Sequence, residues 1–306
     1  MTEISLIEPN DVKADLFIGC VGYEHRSLEA LRKAYDDDFD AATVLFDYQS
    51  GDLFSYRGNR ADPIVQNATL LTDFDEFAEK VEAHLKASVS TSILFDVTSF
   101  DREKIAILLQ IFFRKQNHIR AVSICYFPRT FVEPSHSLDI VRSFGPVIPA
   151  FIGETSSSRD SLALIIGAGY EYGRAVGAID LLEPDRVYCM TPIGTDSRFE
   201  DAIEKNNLGF SFLEDQELLQ KYDLCRPENL FYEIRRIVEF EVQERNVLIL
   251  PLGPKLFAAA AMLVAFILHP SVMVWRHSTA SKEVPRSTSD AHASGVDVRL
   301  AFRFVS

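Results

Sequence analysis

The chain has 306 residues, 47% hydrophobic and 25% charged, with a formal net charge of −14. Such a length holds two domains of ordinary size, and such a composition describes a globular chain. The negative charge argues against long nucleic acid, which needs a basic surface to neutralise many phosphates, but leaves room for a small anion in a local basic pocket.

Met1–Lys13 is polar and lacks an apolar core, so no cleaved leader is expected. Leu16–Val21 reads as a buried strand, Gly22-Tyr-Glu-His-Arg26 as the turn after it, and Ser27–Tyr35 as a helix. Ala42–Tyr48 is a second strand and Gln49–Ala68 a long polar loop, of the kind that is either functional or mobile. Asp73–Ala87 has helical periodicity, with Phe74, Phe77, Val81 and Leu85 on one face. Ile93–Val97 is a third strand, Ile105–Lys115 its helix and Ile119–Phe127 a fourth strand; Val147–Ile152 reads as one more. Gly153–Arg159 is small and polar, a linker by composition.

The pattern then restarts. Leu162–Ile166 is a strand, Gly167–Arg174 a Gly-rich turn, and Ala175–Leu182 a helix stopped by Glu183-Pro184. Arg186–Met190 is a strand, Phe199–Asn206 a helix, and Pro227–Gln243 a long helix with Leu230, Ile234, Ile237 and Phe240 on one face. Val247–Leu250 is a strand, followed by a Gly-Pro turn, Lys255, and Leu256–Leu268, a 13-residue apolar run. That run is too short to span a bilayer, so no membrane partner is expected. Ser271–Trp275 is a strand and Val284–Ser294 a polar loop or hairpin arm. Val296, Val298, Leu300, Phe302 and Phe304 alternate with polar residues, as in a half-exposed antiparallel strand. Cys20, Cys125, Cys189 and Cys225 show no CxxC spacing, so no metal site is expected, and reduced thiols suit a cytoplasmic protein.

The two halves echo each other. Gly22-Tyr-Glu recurs as Gly169-Tyr-Glu 147 residues later, Lys104 as Lys255 after 151, and Tyr126 as Trp275 after 149. The expectation is an α/β chain of two Rossmann-like parallel-sheet units, residues 1–153 and 160–306, duplicated in a pseudo-two-fold arrangement. Ligands of such sheets bind at the strand carboxyl ends. There fall Tyr23, Glu24 and Arg26; Asp96, Thr98 and Ser99; Gly169, Tyr170, Glu171 and Arg174; Gly253 and Lys255; and Arg276. These are the candidate ligand-binding residues, expected to line one cleft from both halves.

Each also has a purely structural reading. Arg26 and Arg174 would either grip phosphate bidentately or pair with Glu24 and Glu171 in their own turns. Asp96 or Ser99 would cap the helix Phe100–Lys115. Lys255 opens a helix, where a cation is unfavourable without an anion beside it. Tyr126 and Trp275 would stack on a base or close the core. The third glycine of Gly167-x-Gly-x-x-x-Gly173 falls one residue late for the dinucleotide fingerprint, which argues against a nicotinamide enzyme, and no cofactor is expected.

Two turns resemble those of the CRISPR-associated Rossmann-fold (CARF) domains and their fused two-copy relatives, the SAVED domains. Asp96-Val-Thr-Ser-Phe-Asp-Arg-Glu-Lys104 keeps the Asp and Thr of the family's Asp-x-Thr-Gly-Gly-x-Lys turn, without its glycines and with its Lys late. Pro251-Leu-Gly-Pro-Lys255 keeps a Gly and the Lys ahead of a small-residue helix. The resemblance implies recognition of a cyclic nucleotide second messenger in antiviral defence, signalled onward through a protein partner. Two alternatives stay open. One is an enzyme at the same strand ends, such as a ring nuclease or other phosphodiesterase, with His25 or Glu171 moving a proton. The other is a structural subunit of a complex.

Overall fold

Continuous apolar runs become the central strands, because a strand covered on both faces needs apolar residues at every position. The computed structural model describes residues 2–36, 41–133, 143–154, 161–169, 174–207, 219–278 and 290–305. In chain order the elements of the first part are β1 (Glu3–Ile7), β2 (Leu16–Val21), α1 (Glu29–Asp36), β3 (Ala42–Asp47), α2 (Tyr56–Ala61), α3 (Pro63–Gln66), β4 (Thr69–Leu71), α4 (Phe74–Ala87), β5 (Thr91–Asp96), α5 (Arg102–Arg114) and β6 (Ile119–Tyr126). Then come β7 (Ser143–Pro146), β8 (Leu162–Gly167), α6 (Arg174–Leu182), β9 (Arg186–Ile193), α7 (Ser197–Asn207), β10 (Leu219–Asp223), α8 (Pro227–Glu241), β11 (Asn246–Pro251), α9 (Lys255–Ile267), β12 (Val272–Ser278) and β13 (Val298–Val305).

The chain forms two α/β units, each with a mostly parallel sheet: residues 1–130 with 287–306, and residues 131–286. The first sheet runs β1-β13-β6-β5-β2-β3-β4 and the second β10-β9-β8-β11-β12-β7. Numbered by their order along the chain, the parallel strands of both sheets follow 3-2-1-4-5, and an antiparallel strand lies beside the fifth, β13 in one and β7 in the other.

Those two antiparallel strands correct the expected division at residues 153–160. β7 precedes the polar linker yet forms the edge of the second sheet, and the C-terminal β13 joins the first, between β6 and the edge strand β1. A fifth strand with an open edge is a pairing hazard: the first unit covers it with β13, from outside residues 1–130, and the second with β7, which precedes its first parallel strand. Four further expectations change. Val147–Ile152 holds a 3-10 turn (Pro149–Phe151), and the strand lies before it. The polar Gln49–Ala68 stretch contains α2 and α3, the latter begun by Pro63 with Asp62 capping the Ile64 N–H. The short strands β1, β4 and β10 carry too little apolar periodicity to stand out in sequence. The helix expected from Phe100 begins at Arg102, capped by Asp101 and not by Asp96 or Ser99.

In the first unit, Phe17, Val21, Leu45 and Leu94 face Leu28, Leu31 and Ala34 of the α1 segment and Tyr56 and Val65 of α2 and α3. On the other face an aromatic seam joins the sheet to α4 and α5: Phe95 meets Phe112 edge-on with ring centres 5.6 Å apart, and Phe46 meets Phe77 at 5.8 Å. In the second unit, Leu164, Ile166, Leu248 and Leu250 pack with Ala175 and Ala178 of α6. α9 covers the opposite face, and every residue from Leu256 to Ala265 is fully buried, which explains a helix apolar all round. All four cysteines are free; burial pushes the Cys189 thiol up to about 12, so it behaves as core. Among the described residues, no helix is long and apolar enough to cross a membrane.

Where α4 meets α5, Glu82 takes Lys86 at 2.9 Å, Lys115 at 3.0 Å and Arg114 at 3.2 Å. Hydrogen bonds from Lys86 and Lys115 hold the Glu82 carboxyl down at about 2, against an ordinary 4.5. A depressed carboxylate contributes stability that is complete above the ordinary value and lost as pH falls through the folded one. Glu82→Gln should therefore lower the urea midpoint at neutral pH, with the difference from wild type shrinking between pH 4.5 and about 2. A pH-independent difference would show that the ion pairs do not set it.

Candidate ligand site at the strand carboxyl ends

In both units the connections diverge between the first and fourth strands, β2/β5 and β8/β11, and this switch point is where α/β sheets open a crevice. The recurring Gly-Tyr-Glu turns follow the first strand of each unit, and Lys104 and Lys255 lie in the helices after the fourth.

The first unit's turn is fixed from within. Asn59 on α2 is buried, and its Nδ2 donates to the carbonyls of Gly22 (3.1 Å) and Glu24 (2.8 Å) and to Ser27 Oγ (3.0 Å). Arg26 is only 5% exposed. Its guanidinium contacts Glu24 Oε2 at 3.1 Å, donates to the Phe127 carbonyl at 2.7 Å and lies 5.8 Å from the centre of the Tyr126 ring. Burial opposes that charge, but Glu24 and Tyr126 outweigh it and hold the Arg26 pKa above its usual value. Arg26 thus takes the internal pairing with Glu24. Ser99 Oγ donates to the same Glu24 oxygen at 3.5 Å, so the two loops flanking the switch point meet on one carboxylate. Tyr23 sits beside them, its phenol pKa raised by burial and by Glu24.

Asp96 and Thr98 shape the neighbouring loop. Asp96 Oδ1 accepts from the Thr98 N–H at 2.9 Å, and Thr98 Oγ1 accepts from the Phe127 N–H at 3.0 Å, so both are buried turn-formers. Asp101 caps α5 through the Lys104 N–H at 2.9 Å and pairs with Lys104 Nζ at 2.6 Å. Burial raises the Asp101 pKa, but Lys104 outweighs it and the net shift is downward. Lys104 Nζ also lies 5.1–5.3 Å from the ring centres of Phe46, Tyr48 and Phe74, a cation–π seat.

The second unit is built differently. The Gly167 carbonyl accepts from both the Leu252 N–H (2.9 Å) and the Gly253 N–H (2.7 Å), which draws the loop after β11 onto the end of β8. A Cβ on Gly253 would fall 2.4 Å from the Ala168 carbonyl oxygen, and one on Gly169 would fall 3.1 Å from the Leu252 oxygen. These glycines are there because two backbones touch. α9 starts directly afterwards at Lys255, with no side-chain cap and no acid in its first turn. Lys255 is half-buried and already interacts with a neighbour, so it is not the free cation its position suggested. On the adjacent β12, Trp275 meets Phe144 edge-on at 5.4 Å and half-buried Arg276 pairs in register with Gly145. Arg174 is the first residue of α6. Tyr170 and Glu171 lie outside the described residues.

Sequence reasoning passed over Asn59, which looks like one more polar residue of a loop, and Asp290, whose role depends on a contact across 265 positions of chain. It also passed over Asp47, buried at the end of β3, where Tyr56 donates to it at 2.6 Å and Arg60 at 3.0 Å. An acid closing a second strand was a readable signal. Among the described residues, no group of three or more His, Cys, Asp or Glu could hold a metal ion. The chain matches no protein-family model and no curated protein.

If Arg26 is a structural member of the first unit, Arg26→Ala should cost about 1–3 kcal/mol by taking the donor from half-buried Glu24 and from the Phe127 carbonyl. Chemical denaturation measures it. An Arg26→Ala protein as stable as wild type would return Arg26 to the list of ligand contacts.

Proposed function

We propose that the chain is a binding protein for a small phosphate-bearing nucleotide, of the cyclic messenger class suggested by the CARF-like turns. Its principal contacts lie at the strand carboxyl ends of the second unit. The observation that carries this reading is the start of α9. A 13-residue helix buried along its length presents its amino end at a switch point, without a carboxylate cap and with Lys255 as its first residue. Burial leaves the helix dipole poorly screened, so that end favours an anion. Lys255 and, one strand over, Arg276 supply full positive charge in a chain whose net charge is −14. Capture of an anion against that background requires such a local cluster. The matching helix of the first unit, α5, has its own carboxylate, Asp101, in that place.

Titration with a panel of cyclic dinucleotides and oligonucleotides, combined with chromatography of the mixtures, tests this reading. A messenger-binding protein binds one of them without converting it; conversion would make the chain an enzyme, and no binding at all would overturn the proposal. Lys255→Ala and Arg276→Ala should each weaken binding by about 1.5–3 kcal/mol, the range for losing a hydrogen bond to a charged group, or roughly 10- to 150-fold in Kd. Unchanged affinity in both folded variants would place the ligand elsewhere.

A further inference from the structure

Thr191, near the carboxyl end of β9, is 7% exposed, and its hydroxyl has no hydrogen-bond partner among the described residues. A buried hydroxyl left unpaired costs stability, so one kept at a strand end where α/β sheets take their ligands points to a partner from outside the fold. Thr91 and Ser123 are also buried and unpartnered, but they lie at the amino end of β5 and inside β6.

The register fixes the direction of the side chain. Ile166 packs with Ala175 and Ala178 of α6 and pairs with Cys189, so Cys189 and, two residues on, Thr191 face α6. The Ala168 N–H donates to the Met190 carbonyl at 2.8 Å, which sets Thr191 beside the exit of β8. When the two Gly-Tyr-Glu turns are aligned, Ala168 matches Val21, and Val21 pairs with Asp47. The first unit therefore has at this place an acid that already accepts from Tyr56, from Arg60 and from the Gln49 N–H at 2.9 Å. The second unit has a hydroxyl with its bond unmade.

The charges around Thr191 suit an anion. Lys221 pairs with it in register on β10, is exposed, and makes no ion pair among the described residues. The acids close by are already matched, Asp196 by Arg198 at 2.6 Å and Asp223 by Arg226 at 3.8 Å. α6, nine residues long, has no acid in its first turn, so its amino end on the same face is also free of opposing charge. We propose that Thr191 and Lys221, with the head of α6, form a second phosphate subsite of the second unit. This rests on the reading of the α9 head as the first. β11 and β9 stand two strands apart, about 10 Å, so filling both places selects a messenger of two or more nucleotides over a mononucleotide.

The probe is inorganic phosphate, titrated at constant ionic strength into wild type, Thr191→Val, Lys221→Ala and Lys255→Ala, with amide resonances followed by NMR. Wild type should shift at Ala168, Thr191 and the first turn of α6. Thr191→Val keeps the shape and removes the unpaired hydroxyl. It should unfold at the same temperature as wild type or higher, while phosphate affinity read at those amides falls about tenfold, as for a lost hydrogen bond to a charged group. Lys221→Ala, a surface change, should weaken the same binding several-fold. Wild-type affinity in both variants, or no shift at those amides in wild type, overturns the proposal. A Thr191→Val protein less stable than wild type also overturns it, because the hydroxyl would then serve the fold. Lys255→Ala separates the two subsites. Phosphate binding that Lys255→Ala abolishes and Thr191→Val leaves intact keeps the α9 site and removes this one; the reverse pattern keeps this one and removes the α9 site.

Discussion

The Gly167 carbonyl, accepting at once from the N–H groups of Leu252 and Gly253, is the contact on which the second unit's candidate site depends. It binds the loop after the fourth strand to the end of the first. The connections from these strands then leave in opposite directions, to α6 on one face and α9 on the other. Only glycine tolerates the resulting approach of Gly253 to the Ala168 carbonyl. The helix that follows is set down on the sheet with its amino end at the switch point, and its Ala-rich run, Ala258–Ala261, allows it to lie close enough to be buried throughout. The position and orientation of the start of α9 both follow from that double hydrogen bond.

The two units share a strand order but differ in the groups at their strand carboxyl ends. In the first, carboxylates of the chain itself accept from backbone N–H groups there: Asp101 at the head of α5 and Asp290 at the turn after β2. Its cations are used up in the same currency, Arg26 on Glu24, Arg60 on Asp47 and Lys104 on Asp101. In the second, the corresponding helix head carries Lys255, itself in contact with a neighbour, and no acid in its first turn. One sheet plan thus supports a self-satisfied scaffold in one unit and, on the proposed reading, a receptive site in the other.

Much of the architecture was legible from apolar runs alone. Leu16–Val21, Ile93–Phe95, Leu162–Ile166 and Val247–Leu250 are strands because nothing else buries such runs at that length, and the alternation from Val298 onward marked an antiparallel strand. What the runs could not show is which sheet an antiparallel strand joins: β13 pairs with β6 of the first sheet, and β7, whose residues carry no strand signal, with β12 of the second. That choice is made by open edges, a property of the folded sheet. Positions were legible: Gly22–Arg26, Asp96–Ser99 and Gly253–Lys255 do lie at strand carboxyl ends. The use of each side chain was not. Arg26 could be read equally as a phosphate ligand or as a partner of Glu24, and only the Phe127 carbonyl and the Tyr126 ring around it decide for burial. Asp290 had no local signal at all, because its partners His25 and Ser55 lie more than 200 residues away in sequence.

Hydrogen–deuterium exchange, measured with and without the tightest-binding member of a cyclic nucleotide panel, tests most directly whether the head of α9 is the anion site. A phosphate held there should slow exchange at the amides from Gly253 to Ala258 while leaving those of α5 unchanged. Protection centred on α5 or spread evenly over both sheets, with the amides at the head of α9 exchanging as before, would contradict it.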